Sequence, residues 1–378
     1  VASIKKRPDG KWRARYRDAE GKEHARHFDK KVDGQRWLDE VTASIVTGQY
    51  VDPKAGRETF QTYAEQWRAA KPHRPSTAKA VEQHLRRYAY PAFGKRRLSS
   101  ITTSNVQSWA TGLTKTHKLA PSTVRTVFNT VAAVFRAAAK DRKIARTPCE
   151  DIDLPAIPRK KIAPLSVAQV LALAEHMPNR YRALVVVGAG TGLRPGELFG
   201  VQVRHINFFK RTLDVEQQVQ QTTGQGVRVC ELKTASSYRT VPLPQVVIDA
   251  LAQHLRDFPA EHDGFVFTAP QGGPITYTHF MDNVWRRAVT AAGLPAGTGP
   301  HALRHAYASA LIAAGESVKV VSERLGHTNA AMTLNVYAHL FPDSEDRTRR
   351  AIDAAFQDHA DSVRTGTDGG TAPPQVSH

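Results

Sequence analysis

The sequence predicts a multi-domain protein. A small three-stranded β-sheet with one covering helix comes first, then an all-α domain, then a mixed, mainly α domain containing a small antiparallel sheet. Three observations carry this expectation. At 378 residues the chain exceeds one ordinary domain. Its hydrophobic period is two near the N-terminus and helical through most of the remaining chain. Two stretches, 47–58 (TGQYVDPKAGRE) and 147–164 with its four prolines, break the pattern and read as linkers. The expected domains are therefore 1–46, 59–146 and 165–358, with a tail at 359–378, rich in Gly, Thr, Asp and Pro, expected to be disordered.

In the first segment, Asp9-Gly10 and Glu20-Gly21 are hairpin turn signals. Between them Trp12, Ala14 and Tyr16 alternate with Arg13, Arg15 and Arg17. One strand face is thus apolar and the other carries three guanidinium groups, a row suited to a DNA major groove. A helix over Val32–Val46 offers Trp37, Leu38, Val41 and Ile45 to cover the sheet. In the second segment Thr59 is a helix cap before Phe60, Tyr63 and Trp67, and helices follow near Ser76–Tyr88, Thr103–Thr111 and Ser122–Lys143. Trp67, Trp109 and Phe128 are expected in the core rather than as stacking platforms for bases. In the third segment helical periodicity is interrupted by strand-like runs at Thr212–Val219, Val227–Leu232 and Arg239–Leu243.

Composition narrows the partner. Lys and Arg number 53 against 35 Asp and Glu, and the surplus is concentrated: residues 61–160 hold 19 basic and 6 acidic residues, residues 161–360 hold 19 and 17. A polyanion, nucleic acid first, is the expected partner. The longest apolar run, about Ala183–Gly190, is far short of a membrane span, and VASIKKRPDG offers no signal-peptide core. Cys149 and Cys230 cannot form a disulfide scaffold, and no His-Glu-x-x-His or Cys-x-x-Cys pattern suggests a metal site. No cofactor or metal is expected, and the location expected is the cytoplasm.

Chemistry-bearing residues cluster in the third segment. Gly190-Thr-Gly-Leu-Arg194-Pro-Gly-Glu197 sets an arginine before a helix that Pro195 can open. Lys233 lies in the turn between two strand-like runs, with Arg239 a second cation nearby. His301-Ala-Leu-Arg304-His305 opens a helix, with His301 and Arg304 on one face. Leu325-Gly326-His327 ends another, and Tyr337 comes ten positions later.

The ordered set Arg194, Lys233, His301-x-x-Arg304, Gly326-His327 and Tyr337 resembles the tyrosine recombinase (phage integrase) family, and the three segments resemble its arm-binding type. The resemblance implies a site-specific DNA recombinase that acts through a 3′-phosphotyrosyl intermediate and a Holliday junction. It implies Tyr337 as nucleophile, Arg194 and Arg304 as a phosphate clamp, and Lys233 as proton donor to the leaving 5′-oxygen. It also implies His301 in proton transfer at the tyrosine, His327 on a phosphate oxygen, and Glu197, one turn after Arg194, as that arginine's support. Double-stranded DNA at core and arm-type attachment sites, a homotetramer and a directionality factor are the implied partners. His327 and Tyr337 are ten positions apart where many members have nine, and the extra residue is expected in the turn Thr328–Ala331. Residues 346–358 read as a short amphipathic helix with Ala351, Ile352, Ala355 and Phe356 apolar, a face suited to a neighbouring protomer. The rival readings are a Xer-like resolvase, against which the N-terminal segment argues, and a DNA-binding regulator without activity, against which the intact set argues.

Overall fold

Alternation of side chains along Trp12–Arg17 builds the middle strand of the N-terminal sheet in the computed structural model. The structure describes residues 2–18, 21–46, 55–158, 162–222, 226–341, 348–350, 352–354 and 356. Strands β1 (Ser3–Lys6), β2 (Trp12–Arg17) and β3 (Glu23–Phe28) pair antiparallel in that order. Gly10 and Gly21 both take φ of 82°, the left-handed conformation that their turns require. Ala14 and Tyr16 are buried beneath α1 (Lys31–Val46) together with Leu38, while Arg13, Arg15 and Arg17 lie on the opposite face. The helix crosses the sheet at Gly34, where a Cβ would stand 2.6 Å from Ile4 Cδ1.

The middle segment is helical: α2 (Phe60–Ala70), α3 (Pro75–His84), α4 (Tyr90–Phe93), α5 (Thr103–Lys115) and α6 (Pro121–Lys140). Thr59 caps α2, its hydroxyl accepting from the Thr62 N–H at 3.2 Å. The expected helix Ser76–Tyr88 changes to a π turn at Leu85–Ala89. Trp67, Trp109 and Phe128 are all buried in one core with Phe60, Phe93 and Phe135, and the Trp109 indole donates to the Tyr88 carbonyl at 2.8 Å.

Chain contacts divide the molecule into two units, residues 1–159 and 160–378. In the second unit α7 (Val167–Glu175) and α8 (Asn179–Thr191) lead to the short α9 (Pro195–Phe199). Strands β4 (Ile206–Asn207), β5 (Thr212–Val215), β6 (Gln217–Thr222), β7 (Gly226–Glu231) and β8 (Arg239–Pro242) come next. Helices α10 (Gln245–Asp257), α11 (Tyr277–Phe280), α12 (Arg286–Ala291), α13 (His301–Ala313), α14 (Val318–Leu325) and α15 (Ala330–Tyr337) complete it. Its main core runs from Val170 to Leu303, and a smaller one gathers Tyr307, Ile312, Val321, Leu325 and Tyr337.

The strand-like run Thr212–Val219 is two strands in two sheets. β5 pairs with β4 and β8, whereas β6 pairs with β7. The chain changes sheet at Glu216 because β6 lies against α9, whose glycines admit it. A Cβ on Gly196 would stand 2.9 Å from the Val219 carbonyl, and one on Gly200 3.2 Å from Gln218 Cα. Lys233 therefore does not sit on a hairpin between paired strands; it comes after β7 and precedes a 3-10 turn, Ala235–Ser237, that leads into the other sheet. Among the described residues no helix is long and apolar enough to cross a membrane. The expectations for residues 47–54 and 159–161 within the linkers, for Ala351 and Ala355, and for residues 357–378, lie outside the described residues.

Candidate active site

Two glycines with left-handed backbones organise the site. Gly192 ends α8 at φ 65° and Gly326 ends α14 at φ 64°. A side chain at Gly192 would run into the Tyr307 ring, and one at Gly326 would stand 2.9 Å from the Arg239 guanidinium. These turns present carbonyls to the two motif arginines. Arg304 donates to the Gly192 carbonyl at 2.7 Å and to the Leu325 carbonyl at 2.6 Å, and is only 3% exposed. Arg194 donates to the Gly326 carbonyl at 2.8 Å and keeps 31% of its side chain exposed. One guanidinium is thus fixed inside the protein and the other reaches solvent.

Glu197 is the acid between them. Buried at 3% exposure, it accepts from the Arg194 backbone N–H (2.9 Å), from Arg194 Nη1 (2.7 Å) and from Arg239 Nη2 (2.9 Å). Burial alone would raise its pKa, but the hydrogen bond and charge of Arg239, with Arg194 behind them, hold it below the usual carboxylate range. Arg239 also donates to the carbonyls of Arg324 (2.8 Å) and Ser237 (2.9 Å), tying β8 to the end of α14. Sequence reasoning met Arg239 only as a cation near Lys233; its partners come from distant segments.

The local charge is unbalanced. Burial, and then the Arg194 cation, push the Arg304 pKa down to about 9, with Arg239 acting in the same direction and Glu197 against it. Three guanidinium groups thus meet one carboxylate, a cluster that an anion would stabilise.

The histidines are held neutral. His327 comes directly after the Gly326 turn, and its Nδ1 meets the buried Thr333 hydroxyl at 2.8 Å. Burial and the charges of Arg304, Arg194 and Arg239 push its pKa down to about 4. His301, the first residue of α13, is lowered by the protein packed around it and then by Arg304 and Arg194. Lys233 lines a cleft of about 220 Å³ with Arg194, Glu197, Gly326 and Thr328.

Tyr337 is the last residue of α15 and is 1% exposed. Its hydroxyl meets Nδ1 of His305, not His301, at 2.7 Å. Burial raises the phenol pKa, with Arg304 opposing. Asn329 caps α15, its side-chain oxygen 3.1 Å from the Met332 N–H, so the helix begins at Ala330, inside the turn expected at Thr328–Ala331. Among the predicted site residues, Arg194, Glu197, Arg304, His301 and His327 surround one charge cluster, with Lys233 in the cleft beside Arg194. Tyr337 adjoins the cluster through Arg304. Arg13, Arg15 and Arg17 belong to the other unit.

The chain is similar to known proteins along most of its length. Residues 163–343 match the phage integrase family model, residues 60–155 the phage integrase central domain and residues 2–47 the phage integrase N-terminal domain. A XerC-like tyrosine recombinase of Caldanaerobacter subterraneus subsp. tengcongensis is 29% identical over 312 residues, 75% of this chain and 79% of that protein. The integrase of Mycobacterium phage L5 is 25% identical over 320 residues, 81% of this chain and 84% of its own. The Tn1549 transposon integrase, solved in complex with transposon right end DNA, superposes with a TM-score of 0.69 at 26% identity. That match covers 79% of this chain and 99% of the other. Matched in all three segments by phage integrase models, the chain belongs to the phage integrase family of tyrosine recombinases, enzymes of site-specific DNA recombination.

Proposed function

We propose that this recombinase integrates, and in the reverse direction excises, a phage or other mobile element, using Tyr337 as its nucleophile. The observation that carries the reading is the excess of guanidinium over carboxylate, Arg194, Arg239 and Arg304 against Glu197, beside a buried tyrosine. A phosphodiester in attack gains charge on its non-bridging oxygens, and Arg194 and Arg304 neutralise it. His327 Nδ1 lies 2.8 Å from the Thr333 hydroxyl; in the tautomer this reading requires, the hydroxyl donates to Nδ1 and Nε2–H is left to donate to a phosphate oxygen. The phenol oxygen bonds to phosphorus while the bond to the 5′-oxygen breaks, and Lys233 protonates that leaving oxygen. The 3′-phosphotyrosyl link conserves the bond energy, so rejoining needs no nucleotide.

Exchange between two duplexes breaks four strands, one per tyrosine, so four protomers act on one Holliday junction. The basic helical segment 59–146 grips the core site with residues 165–358, linker 147–164 crossing between them, and most affinity comes from phosphates and falls with salt. Segment 1–46 binds separate arm-type sites, and a directionality factor biases the reaction. The match of residues 2–47 to an integrase N-terminal domain favours this over a Xer-like resolvase.

A nicked suicide substrate tests the assignment. Tyr337→Phe is expected to bind core-site DNA as wild type does and form no covalent adduct; adducts from the Phe variant would remove Tyr337 from its role. Because the charge stabilisation comes from arginines, wild-type adduct formation is expected unchanged in excess EDTA. A loss reversed by added magnesium would argue against the arginine clamp.

A further inference from the structure

The proton of the nucleophile has a destination that the motif residues do not supply. His305 is the neighbour of Arg304 on α13, and its Nδ1 lies 2.7 Å from the Tyr337 hydroxyl. The two rings are tilted at 65° with centroids 5.6 Å apart, so the contact is made in a packed wall rather than in a mobile loop. His301, one turn earlier on the same helix, makes no hydrogen bond to that hydroxyl among the described residues; its ring centroid is 6.1 Å from that of His305.

We propose that His305, not His301, is the general base that takes the phenolic proton of Tyr337. This rests on the reading of Tyr337 as nucleophile. In the cleavage step the phenolic O–H bond breaks, the proton passes to Nδ1 of His305, and the oxygen's electron pair forms the bond to phosphorus. The bond from phosphorus to the 5′-oxygen breaks with its pair, and that oxygen takes a proton from Lys233. In the joining step the 5′-hydroxyl gives its proton back to the neutral Lys233 amine and its oxygen bonds to phosphorus, the bond from phosphorus to the tyrosine oxygen breaks with its pair, and the His305 imidazolium returns its proton to that phenolate.

The surroundings of His305 suit this cycle. Burial first, then the neighbouring His301 and the charge of Arg304, push its pKa down to about 4, so the resting ring is neutral and can accept. Tyr337 faces it from α15; α8, α14 with Arg324, and the 3-10 turn Ala338–Leu340 with His339 also pack on α13, and among the described residues only His301 and Arg304 act on the ring. A scissile phosphate seated on Arg304 cancels a cation that depresses His305. Basicity therefore rises when substrate is in place and stays low when it is absent.

Substitution of His305 by Asn separates placement from proton transfer. The amide oxygen can occupy the position of Nδ1 and hold the hydroxyl, but it cannot take the proton. On a nicked suicide substrate at neutral pH, His305→Asn is expected to bind normally and form adduct about 10²-fold or more slowly. Its rate should climb with pH toward the ionisation of the phenol, while the wild-type rate levels off. Fluorotyrosine at position 337, which ionises at lower pH, should restore much of the lost rate; a merely structural histidine would not be rescued in this way. His305→Gln serves as a second variant if the Asn protein does not fold. Tyr337→Phe and His301→Asn run beside them. Adducts from Tyr337→Phe would overturn the nucleophile itself. An inert Tyr337→Phe with wild-type rate and pH profile in His305→Asn would overturn only the role of His305. Fluorotyrosine rescue confined to His301→Asn would move that role to His301.

Discussion

Replacement of Glu197 by Gln should cost both stability and rate, and the structure sets the scale. The carboxylate is almost fully buried and serves two cations, Arg194 at 2.7 Å and Arg239 at 2.9 Å. Removing one partner of a buried ionic set leaves uncompensated charge and costs about 3 kcal/mol or more. Arg239, 7% exposed, then keeps two backbone carbonyls as acceptors among the described residues, those of Arg324 and Ser237. Gln retains the shape and one carbonyl oxygen, so its cost belongs at the low end. For a unit of this size, ~3 kcal/mol lowers Tm by roughly 6–12 °C. The sign with pH is set by the lowered carboxyl pKa. The charge on Glu197 stabilises the fold above the ordinary carboxylate range, and that contribution is lost as pH falls through the folded value. The Tm gap between variant and wild type should therefore narrow in acid. Calorimetry across pH, beside single-turnover cleavage, measures both effects. Pairing Glu197→Gln with Arg239→Met should cost less than the sum of the two, since each removes the same contact. A Glu197→Gln protein that melts and cleaves as wild type at neutral pH would refute the argument that this acid holds the clamp together.

Four further outcomes are expected. His305 and His327, both pushed down to about 4, stay neutral in the fold while the unfolded chain protonates them near ~6.5. Thermal stability should thus fall as pH drops from ~6.5 toward ~4, and His327→Gln should flatten that slope; an unchanged slope would contradict the neutral assignment. Ile352 and Phe356 are 54% and 71% exposed, uncovered among the described residues, so truncation after Phe341 should weaken tetramers and recombination but spare DNA binding. Recombination at the wild-type rate would rule out a socket on the neighbour. On the N-terminal sheet, Glu23 lies 3.5, 3.6 and 3.8 Å from Arg13, Arg15 and Arg17, so Glu23→Gln should tighten arm-site binding and steepen its salt dependence. Replacing the three arginines with Ala should abolish arm-site footprints and leave core cleavage intact, whereas unchanged footprints would reduce the sheet to a cap.

The N-terminal sheet and the helices were legible because each is built from neighbours in sequence. Ala14 and Tyr16 alternate with arginines, and Thr59 meets the Thr62 N–H three residues on, so period and capping chemistry are enough. The change of sheet at Glu216 was not legible. Alternation continues across it, and what ends β5 is α9 arriving from an earlier segment through Gly196 and Gly200. Strand β4, two residues long, carries no period at all.

The candidate site divides along the same line, between what a residue type dictates and what only tertiary contact decides. An arginine after Gly192 and a histidine after Gly326 stand out because those glycines answer a backbone demand: a helix end with positive φ and a wall too close for a Cβ. The groups that orient the motif residues answer no local demand. Arg239 reaches Glu197 across 42 positions, and His305 reaches Tyr337 across 32. His305 sits beside the arginine it accompanies, as conspicuous as His301, and no spacing rule ranks one histidine over the other. Helix geometry does. His301 is the first residue of α13, whereas His305, one turn later, faces the buried Tyr337 at the end of α15. On the proposed mechanism the motif encodes where phosphate would be held, and the packing that brings Tyr337 to His305 encodes which base the nucleophile would meet.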